Sequence, residues 1–177
     1  ETDNIQCIPH QLVEDCWFTY QVIISAKSCQ LISDQTLYYT INPESTTSKI
    51  KTQGYSMKLS ISYAEIEKTK RAYIAHLRPH SIYPCLLFDT MFMGLYHAYR
   101  ILCVDNKMEK QERKKLACSL LTRNFQLPNR IICSTSYLRF LAIYIFYSLP
   151  ITIKINLVNL AIKFKIKDIL QKWFHFN

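Results

Sequence analysis

Apolar side chains near the start of the chain recur at the spacing of a helix. Along residues 12–25 they are separated by four, three and four positions, which brings them to one helical face. These four are Val13, Trp17, Tyr20 and Ile24. Two carboxylates, Glu14 and Asp15, stand at the beginning of the segment, where the helix dipole favours negative charge. The pattern predicts a helix over residues 12–25.

The next two segments have the composition of strands. Residues 28–33 (SCQLIS) and 36–41 (TLYYTI) are short, contain Ile, Thr and Tyr, and are separated by polar residues. β-Branched and aromatic residues favour strands, and the sequence NPES at 42–45 has the residues of a turn. We therefore expect a short mixed sheet from residues 28–41.

Three longer segments predict helices. Residues 57–77 begin with an alternation that also fits a strand, but their length and charged end, EIEKTKR, favour a helix. Residues 85–104 are long and apolar, and residues 107–124 are highly charged. Because the run KMEKQERKK in this last segment mixes both signs of charge, we interpret it as a solvated helix face.

The last third of the chain is unusually apolar. Residues 137–149 are almost continuously apolar, but the run is shorter than the roughly 20 residues that cross a bilayer, and Pro150 interrupts it. Beyond Pro150, lysines alternate with apolar residues that fall near one side of a helix. These are Leu157, Leu160, Ile162, Ile166, Ile169, Leu170 and Trp173. A helix that caps the core and one that lies in a membrane interface both fit this pattern.

Composition narrows the kinds of site that the chain can contain. Hydrophobic residues make up 49% of the sequence, which is enough for a packed core. Glycine occurs only at Gly54 and Gly94, whereas the dinucleotide and P-loop fingerprints each require several glycines. We therefore expect most of any nucleotide-binding site to lie outside this sequence, and its donor-binding residues are unknown.

The net charge of +9 favours anionic partners, namely nucleic acid, anionic lipid or phosphorylated substrates. Nucleic-acid binding predicts basic residues interleaved with exposed aromatics. The C-terminal lysines instead accompany bulky aliphatic residues. We therefore expect no nucleic-acid partner and leave a membrane surface as the alternative.

Cysteine and histidine residues show no metal-binding pattern. None of the seven cysteines has the CxxC spacing, and most lie in apolar runs, so we expect them to be reduced and buried. The five histidines show no HExxH spacing. We expect His97, within an apolar segment, to be a core residue, and no metal site to form from these residues alone.

One block of the chain carries a family resemblance. Glu14 and Asp15 are followed by Lys27, by Asp34, by the pair Tyr38–Tyr39 and by the sequence NPES at 42–45. This ordered set, across residues 12–47, resembles the middle of the bacterial family 2 glycosyltransferases, inverting enzymes of the GT-A fold that build surface polysaccharides. The resemblance covers about a fifth of the chain.

The resemblance implies an α+β fold in which the short mixed sheet and a largely helical C-terminal region form part of a GT-A type α/β domain. Residues 1–54 would then be the acceptor-side part of the catalytic domain. Residues 55–177 would be a helical, membrane-associating region. The protein would act in the cytoplasm, peripheral to the inner membrane, and transfer a sugar from a nucleotide sugar to a glycan or lipid-linked acceptor.

The resemblance also implies roles for individual residues. Asp15 would be the base that removes the acceptor proton, with Glu14, Trp17 and His10 in contact with the acceptor. The residues alone also fit a structural role, in which Glu14 and Asp15 cap a helix and Trp17 belongs to the core. The complete enzyme would use a divalent metal, Mg²⁺ or Mn²⁺, whose ligands are not expected in this chain.

Three departures from the family pattern keep other interpretations open. Thr40 stands where the family commonly has Arg, and Gln35 where it has Pro. No D-x-D sequence, the family's metal motif, occurs in these 177 residues, so we expect the donor-binding half to lie upstream. The alternatives are a non-catalytic basic helical protein for binding or assembly, and an inactive glycosyltransferase remnant.

Overall fold

The computed structural model describes residues 13–28, 56–79, 82–103, 108–125 and 137–164, together with residues 5, 7, 30 and 44. These stretches form six α-helices and one 3₁₀ turn. The elements are α1 (Glu14–Ser25), α2 (Met57–Tyr73), the 3₁₀ turn (Ile74–Leu77), α3 (Tyr83–Cys103), α4 (Lys110–Leu121), α5 (Tyr137–Ser148) and α6 (Ile151–Lys163). The helices predicted over residues 12–25, 57–77, 85–104 and 107–124 are thereby confirmed, each within a few residues of its expected bounds. Of the helix expected beyond Pro150, residues 151–163 are helical, and residues 165–177 lie outside the described stretches.

The prediction of an α+β fold with a short mixed sheet is wrong. Throughout the described stretches the chain is helical, and no strand occurs in them. The segments predicted as strands, residues 28–33 and 36–41, lie outside the described residues except for Ser28 and Gln30. The prediction relied on short β-branched and aromatic runs, whereas the core is built by long helices whose apolar stripes pack on one another.

Helix α3 is the centre of the fold. Its buried residues recur at intervals of three and four residues, at Leu87, Met91, Gly94, Ala98 and Ile101. Helices α2, α4, α5 and α6 all pack against α3, and α1 packs against α2. A helix that is apolar on most of its sides buries the most surface when other helices surround it. Helix α3 takes this central position.

Local chemistry sets the ends of α2 and α6. At the start of α2, the Ser56 hydroxyl accepts a hydrogen bond from the Leu59 amide at 3.2 Å, as is usual for a serine N-cap. Helix α2 continues into the 3₁₀ turn, which ends shortly before Pro79. Pro150 occupies the N-cap of α6, so the same residue that ends the apolar run of α5 begins the next helix.

Helix α4 is charged and exposed over its first half, and it is buried at its C-terminal end. Residues 110–112, 114 and 115 are exposed, which confirms the interpretation of this run as a solvated face. Ala117, Leu120 and Leu121 are buried. The last turn of α4 therefore lies inside the protein, where its free carbonyl groups need hydrogen-bond donors.

Two buried cations supply these donors. Arg71 of α2 donates to the Thr122 carbonyl at 3.4 Å and to the Tyr147 hydroxyl at 3.2 Å. Lys154 of α6 donates to the Leu121 carbonyl at 2.7 Å. Positive charge at a helix C-terminus also interacts favourably with the dipole. The end of α4 is thus tied to α2, α5 and α6.

The prediction that the cysteines are buried is wrong for those that the structure describes. Cys7, Cys16, Cys85 and Cys103 are exposed, and Cys118 is partly buried. The apolar runs around them form helices, and a helix buries only part of each run. In the segment RILCV, for example, Ile101 faces the core while Cys103 is exposed at the last residue of α3.

Candidate functional site

The predicted catalytic carboxylates lie in the first turn of α1. Glu14 and Asp15 are both exposed there. The N-cap residue is Val13, and it makes no side-chain capping hydrogen bond. Both carboxylates are inside the helix, where they interact favourably with its dipole, and both are open to an approaching molecule.

Asp15 lies where α1 meets α2. Partial burial, followed by the negative charge of Asp15 and a hydrogen bond to it, raises the pKa of the Cys16 thiol. Burial, with smaller contributions from Cys16 and Asp15, raises the pKa of Tyr63 on α2 to about 12. The carboxylate is therefore hydrogen-bonded to one thiol and interacts electrostatically with one phenol, and both of these groups keep their protons at neutral pH.

Trp17, predicted to contact the acceptor, is a core residue in the structure. Its side chain is 7% exposed. The ring meets Tyr73 edge-on with centroids 5.2 Å apart and stacks near Tyr20 at 6.5 Å. Aromatic pairs of this geometry fix the position of the helices that carry them. Trp17 anchors α1 against α2 and thereby holds Asp15 in place.

His10, the fourth residue of the predicted site, lies outside the described stretches. So do Asp34, Tyr38 and Tyr39, which belong to the block that resembles the glycosyltransferase family. The structure therefore brings together Glu14, Asp15 and the anchoring Trp17. In the described part of the chain, His, Cys, Asp and Glu side chains form no group of three that could hold a metal ion.

A buried group of charged side chains lies on the core side of α1. Lys70 and Glu67, both on α2, form an ion pair at 3.0 Å. The Lys70 ammonium lies 5.0 Å from the centroid of the Tyr20 ring. Burial raises the pKa of Glu67 and that of Asp89 on α3, although the charge of Lys70 opposes both shifts. We call Glu67, Lys70, Asp89 and the nearby His97 the buried charged cluster.

His97 is the most strongly perturbed base of this cluster. Its ring stacks on that of Tyr63 with centroids 3.9 Å apart and an interplanar angle of 19°. Burial, with smaller contributions from the positive charges of Lys70 and Arg100, lowers the pKa of His97 to about 3. His97 is therefore neutral at physiological pH, and the prediction that it is a core residue is confirmed.

No protein-family model, curated protein or solved structure matches the chain.

Sequence reasoning treated the charged end of α2 as a helix signal and missed that part of it is buried. Ser60, Ala64, Glu67 and Arg71 are separated by four, three and four residues, which places them on one face of α2, and all four are buried. This face carries little apolar surface, so nothing in the sequence indicated that other helices would cover it.

The pKa of His97 predicts a pH-dependent stability. Between its ordinary pKa of 6.5 and the folded value of about 3, the unfolded chain binds a proton that the folded protein does not. The unfolding free energy therefore falls as the pH is lowered through this window, by up to about 1.4 kcal/mol per pH unit. Urea unfolding at pH 6 and pH 4.5 measures the loss.

The control is His97→Phe, which keeps a ring against Tyr63 but cannot be protonated. Glu67 and Asp89, whose raised pKa values act in the opposite direction, are common to both proteins. The wild type is expected to lose about 2 kcal/mol more than His97→Phe between the two pH values. Equal losses in the two proteins would show that His97 does not remain neutral in the folded state.

Proposed function

We propose that this chain is the acceptor-side portion of an inverting glycosyltransferase, in which Asp15 removes the proton from the acceptor hydroxyl. The transferred sugar comes from a nucleotide sugar, and the acceptor is a glycan or a lipid-linked glycan. The full enzyme works in the cytoplasm, peripheral to the inner membrane. Its divalent metal, Mg²⁺ or Mn²⁺, is held by residues outside this chain.

The observation that carries the proposal is the placement of two carboxylates. Glu14 and Asp15 are exposed in the first turn of a helix that the buried side chains of Trp17 and Tyr20 hold rigidly. A general base must be both accessible and fixed in position. The resemblance of residues 12–47 to family 2 glycosyltransferases supports the same role.

A second feature of α1 supports an acceptor surface. Phe18 and Val22 follow Asp15 at intervals of three and four residues, and both side chains are exposed. Asp15 therefore lies at the end of an apolar stripe on the outer face of α1. Apolar surface next to a carboxylate suits an acceptor that presents a hydroxyl group together with carbon–hydrogen faces or a lipid part.

Asp15→Asn tests the role of the base. The wild type and Asp15→Asn are each expressed from the native gene. Sugar transfer is measured from a panel of radiolabelled nucleotide sugars to acceptors extracted together with the membrane lipids. Because the amide cannot accept the proton, kcat is expected to fall by at least roughly 10²-fold, with little change in KM. Normal turnover by Asp15→Asn would refute the assignment.

Glu109→Gln is the matched control, since Glu109 is also an exposed carboxylate at the start of a helix, at the N-cap of α4. It is expected to leave transfer unchanged. Thermal unfolding of both variants separates a loss of catalysis from a loss of structure. Loss of transfer in both variants would mean that charge at helix starts, and not Asp15, supports activity.

A second candidate function is a non-catalytic binding or assembly module. The exposed apolar stripe of α1 favours it, because such a face can dock a partner helix as well as an acceptor. The sugar-transfer assay distinguishes the two functions. An assembly module shows no turnover with any donor, while Phe18→Ser weakens its partner complex and Asp15→Asn does not.

A further inference from the structure

Helix α6 has apolar residues on two opposite faces. With 3.6 residues per turn, Lys154, Ile155 and Val158 form the face that is buried against the protein. A second stripe lies on the opposite side, at intervals of four, three and four residues. Its members and their exposures are Ile153 (44%), Leu157 (42%), Leu160 (50%) and Phe164 (63%). We call these four residues the outer stripe of α6.

The outer stripe differs from the arrangement expected from the sequence. Leu157 and Leu160 were expected on the apolar side with the lysines in water. The structure instead buries Lys154, which donates hydrogen bonds to the carbonyls of Leu121 at 2.7 Å and Tyr147 at 3.0 Å. Because this lysine turns inward to the end of α4, the two leucines face outward.

Polar residues border the outer stripe on one side. Thr152, Asn156, Asn159 and Lys163 are exposed and fall at intervals of four, three and four residues. The exposed half of α6 is therefore itself amphipathic, with an apolar stripe beside a polar one. A helix of this kind suits the boundary between water and hydrocarbon, because it can bury one stripe while the other stays hydrated.

The charge of the sequence segment that contains α6 points to the chemistry of the partner. From residue 113 to residue 167 the sequence contains ten Lys or Arg residues and no Asp or Glu. Among the described ones, Lys114, Lys115, Arg123 and Lys163 are exposed. An apolar stripe in an acid-free, cationic part of the chain is complementary to an anionic lipid surface. A second copy would bring like charges together.

We infer that the outer stripe of α6 docks this protein on an anionic membrane surface. The helix lies along the interface, with the outer stripe in the acyl-chain boundary and Lys163 at the lipid headgroups. Across the described stretches, no helix combines the length and apolar character needed to span a bilayer. The inference specifies the surface for the membrane association within the proposed function and does not depend on Asp15.

Sedimentation with lipid vesicles tests the inference directly. The intact chain is mixed with vesicles of phosphatidylcholine containing 30% phosphatidylglycerol, and with vesicles of phosphatidylcholine alone. Binding to the anionic vesicles is expected to be at least roughly tenfold stronger and to weaken in 0.5 M NaCl. The double variant Leu157→Ser, Leu160→Ser is expected to lose roughly tenfold or more of this binding.

The matched control is Ile23→Ser, Met57→Ser, which changes one exposed apolar residue of α1 and one of α2 and is expected to bind the vesicles as the wild type does. Lys163→Gln is expected to weaken binding to anionic vesicles by roughly fivefold and to leave neutral vesicles unaffected. Each variant is first compared with the wild type by thermal unfolding and by sedimentation without lipid.

Three outcomes would overturn the inference. If the leucine variant binds vesicles normally, the outer stripe is not the docking surface. If the variant unfolds at a clearly lower temperature, the stripe is covered by another part of this chain. If the wild type is a dimer that the variant converts to a monomer, a second copy occupies the stripe. Because no donor or acceptor is present, none of these outcomes bears on catalysis by Asp15.

Discussion

Arg71→Met is expected to lower the free energy of unfolding by about 4 kcal/mol, because it removes a buried cation that donates hydrogen bonds to α3, to α5 and to the residues that end α4. The guanidinium donates to the carbonyls of Thr122 and Thr90 at 3.4 and 3.3 Å, to Asn124 Oδ1 at 3.3 Å and to the Tyr147 hydroxyl at 3.2 Å. Methionine fills similar space but donates no hydrogen bond.

Two opposing contributions decide whether Arg71→Met lowers or raises the free energy of unfolding. Removing a buried cation relieves a desolvation cost, and apolar replacements of buried ion pairs are sometimes neutral for that reason. Here two of the four acceptors, the Thr90 carbonyl within α3 and the Tyr147 hydroxyl, belong to fully buried residues and cannot turn to water while the helices stay packed. Their unmet hydrogen bonds are therefore expected to outweigh the relief.

Urea unfolding at pH 7 measures the effect through the midpoint at an unchanged m-value. Lys114→Met is the control, because Lys114 is exposed on α4, and it is expected to change the unfolding free energy by less than about 0.5 kcal/mol. An Arg71→Met protein as stable as the wild type would mean that water satisfies the α4 carbonyls without the arginine.

Gly94→Val is expected to lower the free energy of unfolding by about 4 kcal/mol through overpacking at the same place. A Cβ at position 94 would overlap Arg71 Nη2 and would lie 2.9 Å from the Tyr147 hydroxyl and 3.4 Å from the Leu120 carbonyl oxygen. The guanidinium could move only by giving up its hydrogen bonds. The absence of a side chain on α3 is therefore what allows Arg71 to reach the end of α4.

Two comparison variants make this prediction specific. In an ordinary helix interior, Gly→Ala stabilises by about 1 kcal/mol, so destabilisation by Gly94→Ala would already show the effect of the contact. Ala142→Val, at an exposed position of α5, measures the cost of a β-branched residue alone. Both are followed by urea unfolding. Stabilisation by Gly94→Ala would show that Arg71 does not pass over this glycine.

Arg71→Met and Gly94→Val both disturb one buried polar centre, formed by Arg71, Tyr147 and Lys154. The geometry of this centre explains why α6 presents apolar residues to solvent. Tyr147 accepts from Arg71 and donates to the Met91 carbonyl at 2.9 Å. Lys154 completes the centre, and burial together with the charges of Arg71 and Arg123 lowers its pKa. Because Lys154 is drawn to these carbonyls, the rotation of α6 about its axis is set, and Leu157 and Leu160 face outward.

The helices could be predicted from sequence because each carries a local periodic signal. Val13, Trp17 and Tyr20 already indicated α1 and its buried face, and all three are buried. The error on fold class came from letting residues 28–41, most of which lie outside the described stretches, decide the class, although the long periodic segments elsewhere in the chain all predicted helices. Propensity over a few residues is weaker evidence than apolar periodicity over several turns.

The candidate site was predicted in part for the same reason. The position of Glu14 and Asp15 in the first turn of α1 follows from local pattern, and the structure places both there, exposed. The buried charged cluster could not be found in this way. Glu67 and Lys70 look like a solvated pair on α2, and only the packing of α1 and α3 against them makes them internal.

The sequence by itself determined where most helices begin and end, the exposed charged run of α4 and the excess of positive charge in the C-terminal half. These properties depend on neighbours within a few turns. The tertiary structure alone decided which polar residues are buried and which apolar ones are exposed. Arg71 and Lys154 are inside because α4 ends inside, and an unpaired helix end requires donors from whichever helices pack against it.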